Sequence, residues 1–582
     1  MNEFDQDIFR QKLYNWIIRT DQAFHVTEQA TFQEMIKYCN PRAKVLGGDT
    51  IKRDLMDRFV ENRTILSNEL SALESRISIT LDMWKSAGND DYMAITGHYI
   101  DDKWSLQSLL LDFVHIESSH TGENMARAFM DSMNEMQISS KVLMIATDNA
   151  SNNLTMMQKL EELWPPQGIQ FKAKEQHNRC MAHIINLAVQ AALKELQWTP
   201  FDVDTQGNPV FDRNMEHQES QLREDTTSVT IDELGTQNGG DDNEETSGNS
   251  DVDSHDDDYG TTSSDHQVPV VIQKKACTEN KLDFVKLAMD VPTRWNSTFL
   301  MINTVLRMEK AVKSTIQFHN DLRPMALSDE EWALLRSLSS ILKMFYVATN
   351  RITGQSYPTL GTVVPAFNYL FDNIEKIIAR QKPYEHISDD IHAAAKKANE
   401  KLLKYYVKTD LSPACAISTV LDPRLKLQYY QRHQWNEWVA KMEKRVATVY
   451  EFYSQRAGGA RARVECTALE VDTLIGDVEQ DFDLHVFGHA PTTTSSELNE
   501  YLAEPIRPTS TDPLVWWSSA EKQFPTLAAM AKDYLAVPGS SAPSERIFSR
   551  ARTLLRWNRS AMKPATVRAA MLEKDRIMRN EK

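Results

Sequence analysis

The sequence predicts an α/β core joined to a larger all-α portion, and three observations carry that prediction. Between about residues 76 and 200 the apolar residues change from helical spacing to strand-like runs separated by turns. On either side they recur at three- and four-residue intervals. An acidic, apolar-poor stretch near residues 201–270 then separates the two kinds of pattern.

Residues 1–75 read as a helical N-terminal segment. Phe9, Leu13, Trp16 and Ile17 share a helical face, as do Phe32, Met35 and Ile36, and then Ile51, Leu55, Phe59 and Val60. Asn40-Pro41 and Gly47-Gly48 punctuate them. From residue 76, Ile77, Ile79 and Leu81 alternate with Ser78, Thr80 and Asp82, the period of a half-buried strand that displays Asp82 at its exit. Tyr92–Ile100 and Trp104–His115 follow across Asn89-Asp90-Asp91 and Asp101-Asp102-Lys103, giving a three-strand meander. A helix opens at Thr121. Val142–Thr147 is a continuous apolar run, typical of a strand covered on both faces. It ends at Asp148, and a helix through Met156 and Leu160 follows. Ile169–Ala173 reads as a last strand, leading into a helix from Arg179 to Leu196. This order, over residues 76–200, is that of an RNase H-like fold, whose first and fourth strands are neighbours about 5 Å apart. Asp82 and Asp148 then face one another.

Residues 201–280 are expected to form a disordered acidic insertion. Between 201 and 270 there are 19 Asp plus Glu against Arg213 and Arg223. Without that stretch the net charge of −17 disappears, leaving 63 acids and 63 bases, so a polyanion-binding surface elsewhere is not excluded. Residues 281–455 read as a helical insertion domain, with Trp332, Leu335, Leu338, Ile341, Leu342 and Phe345 on one face. Residues 456–510 read as a linker. Residues 511–582 read as a helical C-terminal region. The five cysteines are scattered and never form a CxxC pair, which argues for a reducing compartment and against a disulfide framework. No apolar run is long enough to span a bilayer, so no membrane partner is expected.

Several motifs occur in a fixed order: Leu81-Asp82-Met83-Trp84, Thr147-Asp148-Asn149-Ala150-Ser151-Asn152, Arg179-Cys180-Met181-Ala182-His183, Thr293-Arg294-Trp295-Asn296-Ser297-Thr298, Leu421-Asp422-Pro423-Arg424, and Pro543-Ser544-Glu545-Arg546-Ile547-Phe548-Ser549. Together they resemble the hAT (Activator/hobo) transposase superfamily, over roughly residues 10–200 and 280–575. The resemblance implies an RNase H-like core interrupted by a helical insertion and completed by a C-terminal dimerisation region. It also implies a DDE triad at Asp82, Asp148 and Glu545, holding two Mg²⁺ or Mn²⁺ ions for cleavage and strand transfer at transposon ends. DNA, a second copy of the chain and a nuclear location follow from the same resemblance. Arg294-Trp295 matches the family's tryptophan that partners a displaced base, a role an exposed indole would serve by stacking.

Downstream of Glu545, the basic run that includes Arg546, Arg550 and Arg552 is a candidate phosphate-contacting surface. Cys180 and His183, at i and i+3, supply half a tetrahedral zinc site, so they are read as structural and zinc is not expected. Two features depart from the family. No CxxC precedes the helical region, so an N-terminal BED zinc finger is expected to be lacking, and Arg550 stands where Gly is common. The competing expectation is a domesticated, non-catalytic DNA-associated dimerising protein on the same scaffold; a host nuclease of the same fold is a third.

Overall fold

The computed structural model describes residues 4–86, 88–117, 121–196, 274–285, 290–291, 295–409, 413–468, 496–555 and 562–580. The chain forms two compact units, Met1–Ala188 with Val347–Lys376 and Asn399–Lys582, and Val189–Tyr346 with Ile377–Ala398.

The first unit is built on a mixed sheet. Helices α1 (Gln6–Arg19), α2 (Ala30–Cys39) and α3 (Gly48–Ala72) precede β1 (Ile77–Lys85), β2 (Asp91–Ile100) and β3 (Leu106–Ile116). Then come α4 (Gly122–Glu135), β4 (Val142–Thr147), α5 (Ser151–Leu163), the single turn α6 (Ala173–Gln176), β5 (His177–Arg179) and α7 (Met181–Glu195). The strand order is β3-β2-β1-β4-β5, with the meander antiparallel and β1-β4-β5 parallel. This is the expected mixed sheet, with two differences. The last strand is His177–Arg179, and Ala173, the end of the expected strand, instead opens the helical turn Ala173–Gln176. The alternation in β1 also does not mark a half-buried strand, since Ser78 and Thr80 are as fully buried as Ile77 and Ile79.

The reason lies far along the chain. Ile77, Ile79 and Leu81 pack with Met125, Phe129, Met156 and Trp164 of the helices on one face. The opposite face carries Ala94 and Phe113, covered by Leu13, Ile17 and Leu55 together with Ile547, Phe548, Ala551 and Met571 from the C-terminal helices. Buried polar groups on this face must find partners within the protein. Thr80 hydrogen-bonds Thr96, whose hydroxyl lies 2.9 Å from His98 Nε2. Burial pushes the His98 imidazole down to about 3, so it packs as a neutral ring.

Helix α8 (Trp295–Arg307), α9 (Glu309–Phe318) and α10 (Asp329–Ile352) follow, then α11 (Val363–Ile378) and α12 (Asp389–Thr409). Next are α13 (Pro413–Leu421), α14 (Gln428–Arg432) and α15 (Asn436–Ala468), the last running past the expected start of the linker at 456. Helices α16 (Glu497–Ala503), α17 (Pro513–Ala520), α18 (Pro525–Leu535), α19 (Ala542–Leu554) and α20 (Pro564–Arg579) complete the chain. Helices α17 to α20 each start with proline in the first turn, where its missing N–H costs nothing. Most of the expected acidic insertion lies outside the described residues, which resume as a helical turn at 274–279. Among the described residues no helix is long and apolar enough to cross a membrane.

A buried ion network fastens α20 to the sheet. Asp112, fully buried on β3, accepts Arg568 Nε at 2.6 Å, Arg568 Nη2 at 2.7 Å and Arg63 Nη2 at 2.9 Å. Burial alone would raise this carboxyl, but the Arg568 hydrogen bonds and the Arg63 charge hold it below its ordinary range. Arg568→Met should therefore cost about 3 kcal/mol, because Asp112 stays buried with one of its two cations gone. A urea-unfolding midpoint at pH 7 measures this; an unchanged midpoint would show that the network contributes nothing.

Candidate active site

Asp82 and Asp148 are brought together by strand register. β1 and β4 run parallel with Ile79 opposite Ile145 and Thr80 opposite Ala146, and carrying that register two residues forward sets Asp82 beside Asp148. Asp148 leaves the sheet in a turn that opens α5. Its Oδ1 accepts Ala150 N at 2.9 Å and Asn153 Nδ2 at 2.6 Å, which fixes one oxygen and leaves the other for a ligand. Among the described residues Asp82 Oδ1 accepts only the adjacent Met83 N–H, at 2.8 Å.

Glu545 arrives from the other end of the chain, in the first turn of α19. The Phe548 ring stacks on Trp84 with centroids 5.9 Å apart and planes at 20°. Phe548 and Glu545 share a helix face at i and i+3, and Trp84 and Asp82 share a strand face at i and i+2. The aromatic stack therefore sets the register of the third acid against the first. The loop before α19 is fastened from the opposite side. Asn178 Nδ2 donates to Pro538 O at 2.8 Å, and Met181 N donates to Gly539 O at 3.3 Å.

Cys180 completes this seam. Its N–H donates to Thr147 O at 2.7 Å, and its buried sulfur accepts Ser541 N at 3.3 Å and His183 N at 3.4 Å. The thiol thus caps the start of α7 and holds the loop that carries Glu545. Burial, with the Glu545 charge added, pushes it up to about 11, so it remains a neutral thiol. His183 contributes its backbone N–H to this cap.

The electrostatics are one-sided. Burial raises the Asp82 carboxyl well above its ordinary range, and the charges of Glu545 and then Asp148 raise it further. Among the described residues none of the three acids forms a salt bridge. Three hard oxygen donors repelling one another without a cation is a donor set that suits Mg²⁺ or Mn²⁺. Among the described residues no three His, Cys, Asp or Glu side chains converge tightly enough to chelate one ion. Glu545 is exposed, and its Oε1 accepts Ser541 Oγ at 3.4 Å.

The expected DNA contacts fare differently. Trp295 is buried, edge-on to Phe345 at 6.4 Å, so its indole packs the helical core of the second unit and offers no face to a base. Arg546 donates Nη2 to Thr353 O at 2.8 Å and is drawn inward, with burial lowering its guanidinium. Arg550 pairs with Asp575 at 2.9 Å, so both arginines are engaged within the fold rather than displayed to phosphate. Arg552 is exposed on α19, and Arg294 lies outside the described residues.

Neighbouring residues also shape the site. Asn153 fixes Asp148, Arg179 Nη1 donates to Asn149 Oδ1 at 3.1 Å, and His177 Nε2 lies 2.9 Å from Thr147 Oγ1. Burial pulls His177 down to about 4, so it is a neutral ring beside Asp148. The signal for Asn153 is its place in the chain, where it closes the turn that Asp148 opens.

With this geometry in place, the similarities to known proteins fall into line. Residues 80–172 match the ZBED1 RNase-like domain, 262–341 the ZBED1 RNase-like helical domain, and 497–577 the hAT family C-terminal dimerisation region. A Zea mays protein provisionally named AC transposase is 26% identical across 100% of this chain and 66% of its own length. A Talaromyces stipitatus protein provisionally named transcriptional regulator tpeD is 25% identical over 97% of the chain and 61% of its length. The zinc finger BED domain-containing protein RICESLEEPER 3 of Oryza sativa is 25% identical over 98% of the chain and 70% of its length. The chain spans about two thirds of the length of the curated relatives it matches. The resemblance to hAT transposases and transposase-derived proteins is borne out.

The raised Asp82 carboxyl has a thermodynamic signature. Its stabilising, neutral form is intact below the ordinary carboxylate range and is lost as pH rises through the folded-state value. In EDTA at pH 8, Asp82→Asn should melt roughly 2–4 °C above the wild type, and the gap should close near pH ~4. An equal or lower melting temperature at pH 8 would contradict the crowding of charge on Asp82.

Proposed function

We propose that this chain is a hAT-type, transposase-like DNA recombinase that works with Mg²⁺ or Mn²⁺ in the nucleus. The observation that carries the reading is the triad itself: Glu545 and Asp148 both raise Asp82, and among the described residues none of the three acids forms a salt bridge. When bound, two divalent ions supply Lewis-acid activation of the attacking oxygen and charge neutralisation at the leaving one. Asp82, Asp148 and Glu545 are the residues that would hold them.

The chain's own contribution is positioning. Asn153 and Ala150 N–H hold one Asp148 oxygen in place, the Met83 N–H holds one from Asp82, and the Phe548–Trp84 stack holds the helix that bears Glu545. In the first reaction a water oxygen bonds to phosphorus, the phosphorus–oxygen bond to the 3′ carbon's oxygen breaks, and that oxygen leaves with a proton as a 3′-hydroxyl. In strand transfer the 3′-hydroxyl attacks a second phosphodiester in the same way. DNA ends and a second copy of the chain, through the matched dimerisation region, are the proposed partners.

A second reading is favoured by two observations. One relative bears the name of a transcriptional regulator, and Arg546 and Arg550 are tied up within the fold. On that reading the scaffold associates with DNA and dimerises without cutting it.

The test is nicking and strand transfer on duplexes bearing inverted repeats from beside the gene, with Mg²⁺ or Mn²⁺. Asp148→Asn and Glu545→Gln should each lower the rate by about two orders of magnitude or more, since even outer-shell losses around metal ligands cost about 10–100-fold. If the wild type and Asp148→Asn behave alike while both still bind DNA, the non-catalytic reading holds.

A further inference from the structure

The strand that closes the sheet beside Asp148 carries a guanidinium that the triad does not use. β5 lies at one edge of the sheet and pairs with β4, setting Arg179 opposite Thr147, the residue before Asp148. Paired strands lie about 5 Å apart, so Arg179 ends its strand at the level where Asp148 leaves β4. Its Nη1 donates at 3.1 Å to Oδ1 of Asn149, the residue after Asp148. Arg179 is thus tied to the same turn that presents the second acid.

Other arginines of the first unit show what a structural guanidinium does in this fold. Arg63 and Arg568 share Asp112, Arg424 pairs with Asp422, and Arg550 pairs with Asp575. Among the described residues Arg179 enters no salt bridge, and its guanidinium has one hydrogen-bond partner, the neutral Asn149 amide. One of five N–H donors is therefore used. The group is half-buried, and burial lowers it, with Tyr405 of α12 acting the other way. A cation drawn partly out of water without a carboxylate is a poor brace, because no partner offsets its desolvation.

The turn is short of an acceptor as well. Asn149 Oδ1 is taken by Arg179, while its Nδ2 is buried and has no acceptor among the described residues. The two side chains together hold unused donors, the complement of phosphate oxygens, and an arginine fork matches a phosphate bidentately. The site has need of such a group. Its three acids repel a phosphodiester as they repel one another, and Arg546 and Arg550, on the helix that bears Glu545, are engaged within the fold.

We propose that Arg179 contacts a phosphate of the DNA strand laid across Asp82 and Asp148, with Asn149 holding the guanidinium in place. The inference rests on the reading that DNA reaches the carboxylates, and it adds the cation that receives the strand. The probe is the cleavage duplex carrying a fluorophore, titrated in EDTA across a series of salt concentrations and read by anisotropy. Each phosphate contact contributes about −0.9 to the slope of log affinity against log salt. Arg179→Gln should flatten the slope by about 0.9, which amounts to about a fivefold loss of affinity at ~0.15 M salt. Arg179→Lys, which keeps the charge, and Asn149→Ala, which keeps the guanidinium, should hold the wild-type slope. With Mg²⁺ and saturating duplex, Arg179→Gln should also slow nicking about tenfold or more, as loss of a charge-stabilising donor implies.

The proposal is overturned if Arg179→Gln, folded by circular dichroism, keeps the wild-type slope, or if the wild type does not bind the duplex. It is also overturned if Asn149→Ala flattens the slope as far as Arg179→Gln does, which would make the arginine a brace for the turn. Nicking at the wild-type rate in Arg179→Gln would place the contact away from the acids and overturn it equally. A wild type that binds without nicking counts against the cleavage reading alone, since the slope is measured without metal.

Discussion

The stack of Phe548 on Trp84 is the contact on which the core and the candidate site both depend. It lays α19 on the open face of the sheet, burying Ser78 and Thr80, and it brings Glu545 to Asp82 in the same step. The two partners lie more than ~400 residues apart in sequence, so closing this contact carries a long-loop entropy cost that only the packing of a whole helical face can offset. Site assembly is consequently inseparable from completion of the fold. A chain that failed to dock its C-terminal helices would lose the third acid and half of the sheet's cover together.

The contrast between buried Asp112 and half-buried Asp82 explains why one reads as structural and the other as functional. Asp112 is surrounded by Arg63, Arg568 and the Ser132 hydroxyl, and its carboxyl is held low. Asp82 has acids for neighbours, one backbone donor, and a carboxyl held high. A protein that needed Asp82 only for folding would gain stability by pairing it or replacing it. Mutual repulsion of carboxylates at a half-buried position is the kind of perturbed setting in which functional residues cluster.

Much of this is legible in the sequence, and the failures have identifiable causes. The continuous apolar run of β4 has the expected bounds, because a strand buried on both faces needs no knowledge of its neighbours. β1 reads as half-exposed because its polar residues are covered by helices from the far end of the chain, which no local window contains. The strand expected at Ile169–Ala173 gives way to His177–Arg179, where pairing with β4 rather than apolar content defines it. Trp295 and Arg546 carry the residue types of a DNA contact, yet burial against Phe345 and the Thr353 carbonyl decides their use. The acids stand out because motif order places them and Asn153 because it closes the local turn that Asp148 opens, while the Cys180 cap emerges only from the packing of distant segments.

The central claim is that Asp82, Asp148 and Glu545 form one divalent-cation site, and Mn²⁺ binding followed by electron paramagnetic resonance tests it without DNA. The wild type should take up Mn²⁺ with release of protons, since ligation favours the ionised form of a carboxyl whose titration burial and the neighbouring acids shift upward. Asp148→Asn should lose the binding, and Asp82→Asn should lose both the binding and the proton release. Equal Mn²⁺ uptake by the wild type and both variants would contradict the account.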